Sequence, residues 1–327
     1  MPPMRAIVVD RWMEPAELPV KEIPEPGLLP GCLDVEVRAA GCNFFDILMV
    51  QGRYQVRPAF PFTPGAEIAG VVRAVGDGVD GFAVGDRVLA SAGLGGFAER
   101  AVVPASIAWT LPEGMSFAEG AALPIIYPTS YAGLVFRADL QPGENLLVHA
   151  AAGGVGIAAV QIGKALGARV IATAGGADKL DVARREGADA TIDYREEDFV
   201  ARVLELTEGA GADVIYDSVG GDVTDKSLKC IAWNGRLLII GFASGQIPSI
   251  KANRILLKNI AVTGLHWGAH AQKEPKKIPQ TFEALFDLYA RGGIKPVIYD
   301  RYPLERVPEA LEALGSRKTY GKVIVAP

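Results

Sequence analysis

The stretch Asn145-Leu-Leu-Val-His-Ala-Ala-Ala-Gly-Gly-Val-Gly156 constrains the fold more than any other part of the chain. Leu146, Leu147 and Val148 are too uniformly apolar to form an amphipathic element, which suits a parallel strand buried on both faces. Gly153, Gly154 and Gly156 leave room for a close backbone approach. The run from Ile157 to Leu166 is helix-like, and Gly167 can end it. A helix opening on a glycine loop points N–H groups at an anion, and in a strand–turn–helix unit that anion is a dinucleotide pyrophosphate. Ala151 stands at the first glycine of the usual G-x-G-x-x-G, so the literal pattern is broken. A tight strand–helix turn in some other α/β protein carries the same letters.

The continuation supports the nucleotide reading. Arg169 to Ala174 reads as a second strand, Gly187 to Tyr194 as a third, Gly211 to Asp217 as a fourth, Gly235 to Gly241 as a fifth and Ile260 to Gly264 as a sixth. Helix-like runs lie between them at Lys179–Glu186, Glu197–Thr207 and Lys226–Ile231. Strands alternating with helices at this spacing predict an α/β, doubly wound parallel sheet of Rossmann type. Right-handed crossovers place the glycine turn at the carboxyl edge of that sheet, where ligands bind.

The chain has 327 residues, enough for two domains. Half is apolar and 22% charged, as in an ordinary globular enzyme, and the net charge of −5 argues against nucleic-acid binding. No apolar stretch reaches the ~18 residues that span a bilayer. The start, Met1-Pro-Pro-Met-Arg-Ala-Ile-Val-Val, lacks the layout of a signal peptide. Cys32, Cys42 and Cys230 have no disulfide or metal spacing, so a reduced, cytoplasmic setting is expected.

The first 120 or so residues differ in texture. Short β-like runs (Arg5–Val9, Leu33–Val37, Ile68–Val72, Arg87–Leu89, Phe97–Val103) alternate with glycine- and proline-rich turns, which predicts a compact, barrel-like β domain. Ser116 and Glu119 have capping-box spacing and begin a helix. Thr281 to Tyr289 reads as an amphipathic helix and Gly321 to Val325 as a final strand. The expected division is a Rossmann domain over 124–265, with 1–123 and 266–327 forming the β-rich domain and its return segment.

The order of these parts resembles the medium-chain dehydrogenase/reductase superfamily. Ala39-Ala-Gly-Cys-Asn-Phe-Phe-Asp46, Pro64-Gly-Ala-Glu-Ile-Ala-Gly70, Gly76-Asp-Gly-Val79, Val84-Gly-Asp-Arg-Val88 and Ala150-Ala-Ala-Gly-Gly-Val-Gly156 are similar to its zinc-independent quinone oxidoreductase branch. So are Gly235 to Gly245 and Leu256-Leu-Lys-Asn259. The resemblance implies a GroES-like catalytic domain. Zinc members carry Cys in G-x-C-x-x-D and His in G-H-E; here Asn43 and Ala66 stand at those places, and no four-cysteine lobe lies between Arg87 and Gly96. Alanine offers a metal nothing, so no metal site is expected.

Without a Lewis acid, the chemistry suits acceptors already activated by conjugation, that is quinones or other α,β-unsaturated carbonyls. The resemblance implies catalytic roles for Asn43, Tyr54 and Thr129. Asn43 has an amide that can donate to a developing oxyanion, although an Asn after glycine also stabilises turns. Tyr54 can stack on a flat acceptor or donate its hydroxyl, or be a loop tyrosine. Thr129 faces the nicotinamide in relatives, or only caps a helix. Asp46 and Glu67 read as structural acids, and His149 as a satisfied core histidine.

The cofactor expected is NADPH. NAD enzymes place an acid at the end of the second strand; here Ala174 takes that position. Ala152, Gly153, Gly154, Val155 and Gly156 would hold the pyrophosphate, with Thr173, Ala174 and Gly175 beside them. Lys179, Tyr194 and Arg195 match or adjoin positions that bind the 2′-phosphate, and Phe242 and Ala243 would line the nicotinamide pocket. Lys179 and Arg195 would otherwise be ordinary solvated charges. An enoyl-thioester reductase and a nucleotide-binding protein with little turnover are the alternatives. The apolar final strand at Ile260–Gly264 implies a homodimer paired across that edge.

Overall fold

The computed structural model describes residues 3–327. The chain divides into two units, one formed by the residues up to Ile125 together with Pro296–Pro327, the other by Ile126–Lys295.

The first unit begins with β1 (Pro3–Ile7), antiparallel to β2 (Val20–Pro24). Then come β3 (Cys32–Gly41), α1 (Phe44–Val50), β4 (Ile68–Val75), β5 (Arg87–Ala90), β6 (Arg100–Pro104), β7 (Ala108–Thr110) and α2 (Phe117–Ala121). Ser116 caps α2: its Oγ accepts the Glu119 N–H at 3.3 Å, and the Glu119 carboxylate accepts the Ser116 N–H at 2.8 Å.

The second unit opens with α3 (Ile126–Tyr131), which runs into a π-helical turn at Ala132–Arg137. It continues through β8 (Asn145–Val148), α4 (Gly154–Ala165), β9 (Arg169–Ala174), α5 (Ala177–Arg185), β10 (Ala190–Asp193), α6 (Phe199–Leu206), β11 (Ala212–Asp217), α7 (Asp222–Cys230), β12 (Ile231–Ile239), α8 (Ala252–Lys258), β13 (Ala261–Gly264), α9 (His270–Lys273) and α10 (Lys277–Ala290). The chain then returns to the first unit as β14 (Ile298–Pro303), α11 (Val307–Gly315) and β15 (Lys322–Ala326).

The sheet of the second unit has the order β10-β9-β8-β11-β12-β13, all parallel. This is the doubly wound α/β arrangement. Leu146, Leu147 and Val148 of β8 are fully buried, as a central parallel strand covered on both faces requires. In the first unit the order is β14-β15-β3-β4-β5-β7, with β6 also on β3. Two irregularities in the β3–β4 register bend this sheet. Its core includes Leu33, Val35, Ile68, Val88, Phe97, Val323 and Val325. β15 joins it antiparallel to β3, with Ile324 opposite Gly41 and Val325 opposite Ala40.

The return to the first unit begins at Pro296, not at residue 266. The apolar face of α10 is why: Ile278, Phe282 and Leu285 are buried. The Gln161 amide, on α4, also bonds the Lys295 carbonyl at 2.8 Å and accepts its N–H at 3.0 Å. Other boundaries shift by a few residues. Asp198 caps α6, accepting the Val200 N–H at 3.1 Å, and β12 starts at Ile231.

Candidate active site

In the second unit the strand order reverses at β8, which has β9 on one side and β11 on the other. Such a reversal leaves a crevice at the carboxyl ends of the strands. The glycine loop leaves β8 there. Ala150 takes the left-handed conformation (φ +50°), so Ala151 needs no glycine and packs fully buried, its N–H bonded to the Thr173 carbonyl at 3.0 Å. The motif is thus intact in shape although broken in letters. Gly156 is obligatory, since a Cβ there would collide with the Ala150 carbonyl and lie 2.8 Å from Ala151 Cα. Gly154, Val155 and Gly156 form the first turn of α4, whose N–H groups have no intrahelical acceptor.

The loop rests on two buried polar supports. The Ser130 hydroxyl donates to the Val155 carbonyl at 2.9 Å, so the Tyr216 phenol at 2.8 Å must donate to Ser130. Ser227 donates to the Val223 carbonyl at 2.7 Å, so His149 Nε2 donates to Ser227 at 2.8 Å, and His149 Nδ1 accepts from Thr173 at 3.0 Å. Burial pushes the His149 pKa down to about 4, against the raising effect of Asp217, so the ring is neutral. Thr173 is itself buried, and its hydroxyl proton faces His149. Ser130 and Tyr216 carry no sequence signal of their own.

At the end of β9, Ala174 is buried and offers no carboxylate. Arg195 and Tyr194 lie over Gly175; a Cβ there would sit 2.6 Å from Arg195 Nε and 2.7 Å from Tyr194 Oη. Lys179 is in the first turn of α5. Asp193, paired with Ala174 across β9–β10, is the nearby acid, and its oxygens accept the N–H groups of Gly176 and Arg195, both at 3.0 Å. Its oxygens are thus engaged by backbone donors, and the guanidinium of Arg195 and the phenol of Tyr194 over Gly175 are donors of the kind a phosphate accepts. Beyond β12, Phe242 and Ala243 fold over the end of β11, with the Ala243 N–H on the Ser218 carbonyl at 3.0 Å. Thr129 is the fourth residue of α3, too far into the helix to cap it.

In the first unit, Asn43 precedes α1 and is buried. It forms a capping box with Asp46 at the start of α1, and its amide also bonds two buried groups beyond the turn. Its Nδ2 donates to Glu67 Oε1 at 2.8 Å, and its Oδ1 accepts from Lys322 Nζ at 2.9 Å. Lys322 Nζ also donates to Glu67 Oε1 at 2.5 Å and to the Cys42 carbonyl at 2.7 Å. Glu67 Oε2 accepts the Ile125 N–H at 2.9 Å. Gly41 makes room for this carboxylate, since a Cβ there would meet Glu67 Oε1 at 2.6 Å. Asp46 Oδ2 accepts the Asn43 N–H at 2.7 Å. Tyr54 stacks on Phe45, ring centroids 5.4 Å apart, and is no free loop side chain; burial and then the Asp46 charge push its phenol pKa up. Lys322 was visible in the sequence only as a charge beginning an otherwise apolar strand.

Zinc takes imidazole, thiolate or carboxylate donors. Asn43 is an amide tied to two partners, Ala66 is a methyl, and Glu67 already bonds an internal cation, so these residues do not fit the metal. The Cys42 thiol is buried, and burial pushes its pKa well up, away from the thiolate. Among the described residues no group of three or more His, Cys, Asp and Glu is arranged to hold a metal. His270 stacks on Trp267 and lies 3.3 Å from Glu274, all within the second unit.

Residues 30–113 match the family described as alcohol dehydrogenase GroES-like domain, and residues 154–291 match the family described as zinc-binding dehydrogenase. The quinone oxidoreductase-like protein 2 homolog of Nematostella vectensis is 45% identical over 294 residues, covering 89% of this chain and 80% of the relative. The solved quinone oxidoreductase of Pseudomonas syringae is 36% identical with a TM-score of 0.91, covering 99% of this chain and 100% of that one. Escherichia coli quinone oxidoreductase, solved in complex with NADPH, is 34% identical with a TM-score of 0.90, covering 99% of each chain.

Proposed function

The chain belongs to the quinone oxidoreductase-like members of the medium-chain dehydrogenase/reductase superfamily of oxidoreductases, and on that premise we propose that it is an NADPH-dependent, zinc-free reductase of quinones or related α,β-unsaturated carbonyls. The observation that carries the reading is the end of β9, where Ala174 replaces the ribose-binding acid and Arg195 and Tyr194 lie over Gly175. An acid there would repel a 2′-phosphate, whereas a guanidinium pairs with one. The Escherichia coli relative, complexed with NADPH, supports the same choice.

When bound, the cofactor supplies a hydride, and with one further proton from solvent a quinone becomes its hydroquinone. The glycine loop and the first turn of α4 would hold the pyrophosphate. Thr129, Phe242 and Ala243 would orient the nicotinamide. Asn43 would donate Nδ2–H to the acceptor oxygen that gains charge, and Tyr54 would offer its ring or hydroxyl to a flat acceptor.

Fluorescence titration with each cofactor should give at least about tenfold tighter binding of NADPH than NADH, about 1.4 kcal/mol. Equal affinities would refute the cofactor assignment. NADPH oxidation is then screened with naphthoquinones, small enones and crotonyl thioester. Turnover of the thioester alone would make the protein an enoyl-thioester reductase, and tight nucleotide binding with no turnover would make it a binding protein. Chelators should leave the activity unchanged, with less than ~0.1 zinc per chain by elemental analysis; stoichiometric zinc would overturn the metal-free reading.

A further inference from the structure

Lys322 and Glu67 have no part yet in this chemistry, although both are buried, at 3% and 0% exposure. An ammonium has three protons, and the three acceptors around Lys322 take all of them: the Cys42 carbonyl, Asn43 Oδ1 and Glu67 Oε1. None is left for a substrate. Stability alone does not account for the pair, because buried ion pairs are often no more stable than apolar residues of the same volume.

Their chemistry does select one orientation of the Asn43 amide. An ammonium only donates and an ionised carboxylate only accepts. The amide atom facing Lys322 must therefore be oxygen, and the one facing Glu67 must be nitrogen. Turned over, the amide would set NH2 against the ammonium and its carbonyl against the carboxylate. In the selected orientation one Nδ2 hydrogen goes to Glu67, and the other has only the Gly41 carbonyl at 3.5 Å, where little bond forms. We propose that Lys322 and Glu67 are positioning residues that lock the Asn43 amide with its second Nδ2–H, not its Oδ1, presented to the acceptor oxygen. The proposal rests on the reading of Asn43 as donor. A flipped amide would turn a carbonyl toward the oxygen that gains negative charge and would oppose the reaction.

The paired variant Lys322→Met/Glu67→Gln removes both charges at similar volume and leaves a neutral amide facing Asn43, so the charges no longer select its orientation. Its kcat should fall about tenfold or more while the NADPH affinity stays near wild type; the thermal midpoint should fall, because the buried Cys42 carbonyl loses the Lys322 donor. Asn43→Ala should lose a comparable factor, and combining it with the paired variant should add little, since the residues act as one unit. A paired variant with wild-type kcat beside an impaired Asn43→Ala would overturn the positioning role alone. Wild-type kcat in Asn43→Ala would instead remove the reading of Asn43 as donor. If the paired variant does not fold, nitrogen-15 NMR of the wild type decides. A locked amide has two Nδ2 protons of unequal hydrogen exchange, the slower one held by Glu67, and two protons that exchange equally fast, as in a solvated amide, would overturn the proposal.

Discussion

Asp46 has a carboxylate whose partners answer only half its needs. Oδ2 accepts the Asn43 N–H, but Oδ1 is buried without a partner. Burial pushes its pKa up to about 7; the N–H bonds from Asn43 and Gly65 and the Lys322 charge oppose this, and the Glu67 charge adds to it. Tyr54 and Cys42 are the other titratable groups whose pKa it perturbs. An unfolded aspartate titrates near ~3.9, so the fold favours the protonated form. The stability from this group is complete below about pH 4 and is lost as pH rises through about 7, by at most ~4 kcal/mol for a shift of ~3 units. Asp46→Asn keeps an acceptor for Asn43 without the charge. The thermal midpoint of the wild type should therefore fall relative to Asp46→Asn between about pH 5 and pH 8. Parallel curves would show that the carboxyl does not titrate in that range.

The decisive element is the strand–loop–helix unit from β8 to α4. Its strand was legible because three consecutive apolar residues suit a strand buried on both faces, as in a parallel sheet. Its loop was legible through glycines that the backbone needs, and Gly156 shows why. A methyl there would run into the Ala150 carbonyl, a backbone atom that cannot rotate away. Gly156→Ala should destabilise the apo protein by about 1–3 kcal/mol, the usual effect of overpacking, and weaken NADPH binding as well. Thermal unfolding without cofactor tests the first part; an unchanged midpoint would mean that the loop opens without strain. The elements that went unread, such as β2 and β14, are short and carry charges, as in Val20-Lys-Glu-Ile-Pro24. Each pairs with a neighbouring strand, β2 with β1 and β14 with β15, but no local period marks them.

At the scale of the whole molecule, β13 is the last strand of the parallel sheet and pairs with β12 alone. Nearby α8 exposes Leu256 and Leu257, at 79% and 70%. An open apolar edge beside exposed leucines invites a partner, and a second copy across a two-fold axis closes it symmetrically. A homodimer is therefore expected by light scattering at micromolar concentration. Val262→Pro, which removes a ladder donor in mid-strand, should shift it toward monomer. A monomeric wild type would show that the edge is protected otherwise.

The sequence alone determined the features with a local cause: the buried strands, the glycine loop, the Ser116 cap, and the absence of zinc ligands at Asn43 and Ala66. Each follows from a residue type acting on its immediate backbone or offering, or lacking, a donor atom. Only the tertiary structure decided which distant groups meet. Lys322 reaches Asn43 and Glu67 because β15 pairs with β3, across some 280 residues of chain. It likewise decided that α10 belongs with the nucleotide-binding unit and that Tyr54 stacks on Phe45. Such pairings are set by which faces remain to be buried once the strands have paired, and neighbouring residues carry no record of that choice.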